Sequence, residues 1–311
     1  MKNPAELAER PLDAYMAEKQ RKRDVKEMYK KALGTMRECV IRPDDFVELY
    51  GDQVEDDINQ AKKYEEKFNK ENTEEDKEAK RYAETLEAIL IDQIEMSDWM
   101  GPNAYTYKTS TFDDYFNQVD GIVEFMEGEN ASSYLGLAVD ATYKHELDDK
   151  IISILKKIEK GEMAKIKYFK SSNMNFRGEL SNLPKVIIGA DFNNIYNLGK
   201  LWIEKGKKKE MGSHPMQYII LQEIVMQLHF FSKYAKECSQ REKNLDLAKR
   251  KEEIAHKYRV AAEKFEKIYQ DKEKAMDKDR VKEYHDSVFR EIQRKLLEYE
   301  YKDIPFLSER H

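Results

Sequence analysis

The chain has 311 residues, a formal charge of −6, 40% apolar and 37% charged residues, which allows a sizeable core and favours long helices with solvated faces over a β-rich or disordered protein. Its two cysteines, Cys39 and Cys238, lie far apart in sequence and exclude a disulfide scaffold and a zinc ribbon. No apolar run approaches the ~18 residues of a membrane span, and the opening MKNPAELAER has no apolar signal core, so a cytoplasmic protein without a membrane partner is expected.

Residues 4–36 are rich in Ala, Leu, Glu, Lys and Met and predict helix, with a restart at Pro11. RPDDFVELYG reads as a capped turn followed by another helix. Residues 52–80 are highly charged and read as a helical arm or hairpin joined near NKENTEED. A stronger helix starts near Thr73 and ends at Gly101-Pro102, with Ala83, Leu86, Leu90 and Ile94 on one stripe and Glu87 lying on that stripe. From about 104 to 190 the pattern changes to short strands around one amphipathic helix: AYTYKTSTF, QVDGIVEFM, SYLGLAVDAT, the helix HELDDKIISILKKIEKGE, then AKIKYFKSS and LPKVIIGAD. The helix from His214-Pro215 is apolar almost all round and should pack deeply. Beyond residue 240, Ile254, Tyr258, Ala261, Phe265 and Ile268 make a heptad seam, and a reversal near 277–280 favours a helical hairpin over one long helix.

Charge is uneven along this order. Between Lys150 and Glu210 there are 14 Lys/Arg against 6 Asp/Glu, about +8, which leaves about −14 on the rest. The bland reading is a set of solvated faces; the functional one is a basic track for a phosphate backbone, with Lys165, Lys167, Lys170, Lys207 and Lys208 as its contacts. No Gly-rich phosphate loop occurs in a strand–loop–helix setting, and neither a zinc-like histidine spacing nor a nucleophile elbow is present.

The distinctive feature is a set of acids beside strand cores. Asp120 opens one apolar run and Asp140 ends the next, with Gly136, Ala138, Asp140 and Thr142 on one face by strand period. If the two strands are neighbours, their acids meet at one sheet edge, where Glu87 joins them from the preceding helix. Each also has a structural alternative: stripe-edge acid for Glu87, turn or strand cap for Asp120, helix cap for Asp140. Converging carboxylates suit a hard divalent cation. Asp114, just before the second strand, is a lesser candidate for the same ion.

The helix–strand–strand–strand–helix–strand order with these acids resembles the PD-(D/E)XK nuclease superfamily over residues 80–230, and VDGIVEF and YLGLAVDAT are similar to a divergent bacterial group within it. The resemblance implies an α/β (α+β) restriction-endonuclease-like core at 76–236, with a mixed sheet flanked by helices. Helical extensions would occupy 1–75 and 237–311, the latter as a hairpin or coiled coil able to pair with a second copy or another protein. It implies Glu87, Asp120 and Asp140 as ligands of Mg²⁺ or Mn²⁺, and hydrolysis of DNA by an ion-activated water. Asp120, Asp140, Thr142 and Lys150 would form the catalytic set. The position of the family's motif lysine is Thr142 in this chain, so the positive charge must come from elsewhere: Lys150 first, then Lys144, then Lys165 or Lys167. The competing reading is a nuclease-fold protein without catalysis, serving as a nucleic-acid-binding or coiled-coil interaction protein.

Overall fold

The computed structural model describes residues 4–128, 131–140, 146–275 and 284–301. Helix α1 (Pro4–Cys39) runs through Pro11 without the expected restart, and short turns lead through α2 (Val47–Tyr50) to α3 (Gln53–Glu71). α4 (Glu74–Ser97) follows after a two-residue break. Its start is fixed by a capping box: Thr73 Oγ1 accepts from the Asp76 amide, and the Asp76 carboxylate accepts from the Thr73 amide.

Four strands make a mixed sheet in the order β1 (Ala104–Lys108), β2 (Gly121–Gly128), β3 (Ala131–Asp140), β6 (Lys185–Gly189). The first three are antiparallel neighbours, and β6 is parallel to β3 after the crossover helix α5 (Glu146–Glu159). The two strands that carry Asp120 and Asp140 are therefore adjacent. Between α5 and β6 the chain makes a second sheet of its own, β4 (Ala164–Lys170) with β5 (Arg177–Leu183). Two apolar clusters follow from this. One joins α4, β2, β3 and β6 to the terminal helices; the other packs β4 and β5 with Phe46, Val54, Tyr107 and Ile122.

Past β6 come α6 (Phe192–Ile203), α7 (Lys208–Gly212), α8 (Met216–Arg241), α9 (Leu245–Ala275) and α10 (Ser287–Tyr301). α8 and α9 form the long hairpin: Ser239 and Ser232 hydroxyls donate to the Ala248 and Ala255 carbonyls, and Tyr218 reaches Tyr269 at the far end. The reversal expected near 277–280 lies outside the described residues. The seam Ile254, Tyr258, Phe265 is buried inside the chain, with Phe265 edge-on to Phe125 at 5.4 Å and Tyr258 against Phe231 at 5.5 Å. Val25, Met28, Ala32 and Met36 of α1 belong to the same cluster. From Val25 on, α1 thus packs into the same core as α8, α9 and α10. No helix among the described residues is long and apolar enough to cross a membrane.

The free edge of β6 is closed by a side chain. Gln227 of α8 accepts from the Ile187 amide at 2.9 Å and donates to the Ile187 carbonyl at 2.6 Å, imitating a neighbouring strand. Gln227→Leu leaves both backbone groups buried and unpaired. The expected loss is roughly 2–4 kcal/mol, read as a lower midpoint in urea unfolding at unchanged slope.

Candidate functional site

The end of the sheet where β1 stops and β2 starts carries a charged cluster. β1 alternates, with Ala104 and Thr106 turned toward α4, and Lys108 shares their parity. Its ammonium lies 2.9 Å from Glu87 of α4 and 3.0 Å from Asp114 in the turn before β2. The side chains of Glu87 and Lys108 are 8% and 14% exposed, and that of Asp114 is 31% exposed. Burial would raise the Asp114 carboxyl, but Lys108 outweighs it and, with Asp120 adding to the effect, holds it below the usual carboxylate value. Glu87 and Asp114, from two elements, therefore share one ammonium, and Asp120 adds its charge beside them.

Electrostatics follow from that crowding. Burial, with the Asp120 and Asp114 charges adding to it, pushes the Glu87 carboxyl up to about 8, although Lys108 opposes the rise. Burial alone would lower the Lys108 amine; Asp114, Glu87 and Asp120 outweigh it and hold the amine well above the usual lysine value. Carboxylate oxygens gathered in this way are the donor type that a hard divalent cation takes. Among the described residues no group of three or more His, Cys, Asp or Glu side chains is spaced to hold a metal ion. The side chain of Asp140, the remaining expected ligand, lies outside those described. Its backbone ends β3 opposite Gly189 of β6.

Thr142 and Lys144 also lie outside the described residues. Lys150 stands in the first turns of α5, and its charge is felt at Lys185. Of the basic track, Lys167 is committed elsewhere: its ammonium pairs with Asp57 at 2.6 Å and lies over the Tyr50 ring. Lys165 pairs with Glu179 at 3.4 Å and Lys207 with Glu210 at 2.7 Å, while Lys170 and Lys208 are exposed. The five lysines do not gather beside the acid cluster through any ion pair or hydrogen bond among the described residues.

Three functional or supporting residues escaped the sequence reading. Lys108 was legible from strand parity, since it continues the inward set of Ala104 and Thr106. Lys185 opens an otherwise apolar strand, VIIGA, and is only 2% exposed. In the register Gly136 stands between Ile122 and Lys185, and the Leu183 side chain fills the space over it. Burial pushes the Lys185 amine down to about 7; Lys157 and Lys150 add to this, and Asp120 and Asp114 oppose it. Glu124 of β2 had no signal beyond its strand. Fully buried, it accepts from Tyr107 Oη (2.7 Å), Tyr134 Oη (3.2 Å), Ser171 Oγ (2.8 Å) and Asn173 Nδ2 (3.2 Å), tying the main sheet to the loop after β4.

A second buried acid, Glu223 of α8, accepts from the Gly189 amide at 3.2 Å, and its Oε1 has no hydrogen-bond partner among the described residues. Burial first, and the nearby Asp286 charge second, raise its carboxyl well above 4.5. Folding therefore favours the protonated form. The associated stability is complete below about 4.5 and is lost as pH rises toward the folded value, by up to about 1.4 kcal/mol per pH unit. Asp286, raised mainly by burial, acts in the same direction. Glu223→Gln should flatten this decline and raise stability at pH 8, measured by urea unfolding from pH 5 to 8.

No family model matches the chain, and no curated protein or solved structure matches it.

Proposed function

We propose that the chain is a metal-dependent phosphodiesterase acting on DNA, built on a PD-(D/E)XK-type core. The observation that carries this reading is the cluster itself: acids from α4, the preceding turn and the start of β2, gathered around a single lysine. The order α4–β1–β2–β3–α5–β6 and the strand sequence β1-β2-β3-β6 support it, as does the adjacency of the two acid-bearing strands.

Glu87, Asp120 and Asp140 would hold Mg²⁺ or Mn²⁺. The ion would supply positive charge against the scissile phosphate and make a water more acidic. The chain's own contribution is positional. Lys108 fixes Glu87 and Asp114 in place beside Asp120. Thr142 would hydrogen-bond a phosphate oxygen, and Lys150 would add positive charge at the start of α5. The separated, free Cys39 and Cys238 suit a reducing, cytoplasmic setting.

The test is incubation with single- and double-stranded DNA, and with RNA, in Mg²⁺ or Mn²⁺, with EDTA as the control. Metal-dependent shortening of DNA is expected; intact substrate in every condition contradicts the proposal. One observation favours a second reading: Lys108 already sits among the acids where a cation would go. In that case the chain binds nucleic acid without cutting it, and DNA binding that ignores both metal and EDTA would support that alternative.

A further inference from the structure

Among the described residues, Lys185 and Lys157 are lysines drawn into the fold without a partner side chain. Lys185 is 2% exposed and Lys157 is half-buried, yet neither ammonium makes a hydrogen bond or ion pair to a described residue. The contrast with the rest of the chain is direct. Lys251, equally buried at 1%, is held by Glu242 at 2.7 Å, and Lys108 is held by two acids. An ammonium with little water and no partner is costly, and an anion arriving from outside would relieve that cost.

The two lysines come from different elements, β6 and α5, and line the same hollow with Ser153, Glu162 and Tyr258. Its volume is about 10 Å³, which is room for one water or one oxygen atom of similar size. The Glu162 carboxylate tempers the charge on Lys157, and nothing comparable serves Lys185 except the more distant influence of Asp120 and Asp114. Lys150, on the same helix as Lys157, adds a third positive charge felt at Lys185.

We propose that Lys185 and Lys157 form a subsite for a phosphate group, seating one anionic oxygen in the hollow they line. This rests on the nucleic-acid reading above, and it assigns the partner of these amines to a phosphate of the bound strand. The acid cluster would then take the cation and the lysine pair a phosphate of the same strand.

The experiment is fluorescence anisotropy with a labelled single-stranded 16-mer DNA in EDTA, titrated at several KCl concentrations, for the wild type, Lys185→Met and Lys157→Met. Losing one phosphate contact should reduce the slope of log affinity against log salt by about 0.7. Both variants are expected to show that reduction with about tenfold weaker binding, and Lys185→Met should melt at a higher temperature than the wild type. Wild-type slope and affinity in both variants would overturn the subsite. So would a wild type that neither binds the 16-mer nor melts higher with inorganic phosphate. A phosphate-induced rise in melting temperature that Lys185→Met abolishes, without any 16-mer binding, supports the anion site with free phosphate as its source. Because the readout needs no cleavage, binding without hydrolysis removes only the hydrolase reading. Cleavage by the wild type together with unaltered Lys185→Met and Lys157→Met removes only the subsite.

Discussion

Asp120→Asn is expected to abolish metal-dependent DNA cleavage, by at least about 100-fold, while the protein remains folded. Asp120 is the acid on which the other charges converge: it raises Glu87 and supports the charged forms of Lys108 and Lys185. Asparagine keeps the shape and removes the charge. A cation would lose one anionic ligand, and electrostatic contributions of this kind are worth about 10²–10³ in rate. Stability should hold or rise, since Glu87 loses a repelling neighbour and charge crowding falls. Cleavage assays with Mg²⁺ and Mn²⁺, paired with thermal unfolding, measure both halves. Equal activity in Asp120→Asn would remove this residue from the mechanism.

The second large effect separates two neighbouring acids. Asp113→Ala should cost roughly 3–6 kcal/mol of stability, whereas Asp114→Ala should change stability little and cleavage strongly. Asp113 is fully buried and accepts four hydrogen bonds: the amides of Lys167 (2.7 Å) and Tyr168 (3.1 Å), Ser110 Oγ (2.9 Å) and Asn117 Nδ2 (2.7 Å). It pins β4, and with it the second sheet, to the turn that presents Asp114. Each buried donor left without an acceptor costs about 1–3 kcal/mol. Asp114 is partly exposed and pairs only within the charged cluster. Urea unfolding of both variants decides the matter. A stable Asp113→Ala, or an unfolded Asp114→Ala, would reverse the assignment of structural and functional roles.

Much of the core was legible because local chemistry and global fold agree there. The helix start near Thr73, the two buried strands and the α5 stripe each carry their own signal, while α4 stops at Ser97, ahead of the expected Gly101-Pro102. Glu87, on its stripe, and Asp120, just before β2, lie where their local patterns put them. β5 was not found. RGELSNL has poor strand formers and reads as a loop, and its pairing with β4 is broken by shifts in register, so tertiary packing decides it. The heptad seam of α9 was visible, but its partner was not: periodicity shows that a face must be covered and is silent on whether α8 or a second copy covers it. The lysines show the reverse difficulty. Lys165, Lys167 and Lys207 drew attention by being numerous, and in the fold they are paired with nearby acids. Lys108 and Lys185 stood alone in apolar strands, and a solitary charge in a buried strand is the better indicator of a site.

The central claim is that these acids hold a divalent cation, and isothermal titration of Mn²⁺ into the intact protein tests it most directly. One ion bound per chain, lost in Asp120→Asn and weakened in Glu87→Gln, is the predicted result. Absence of binding in the wild type, or equal binding in all three proteins, would contradict it.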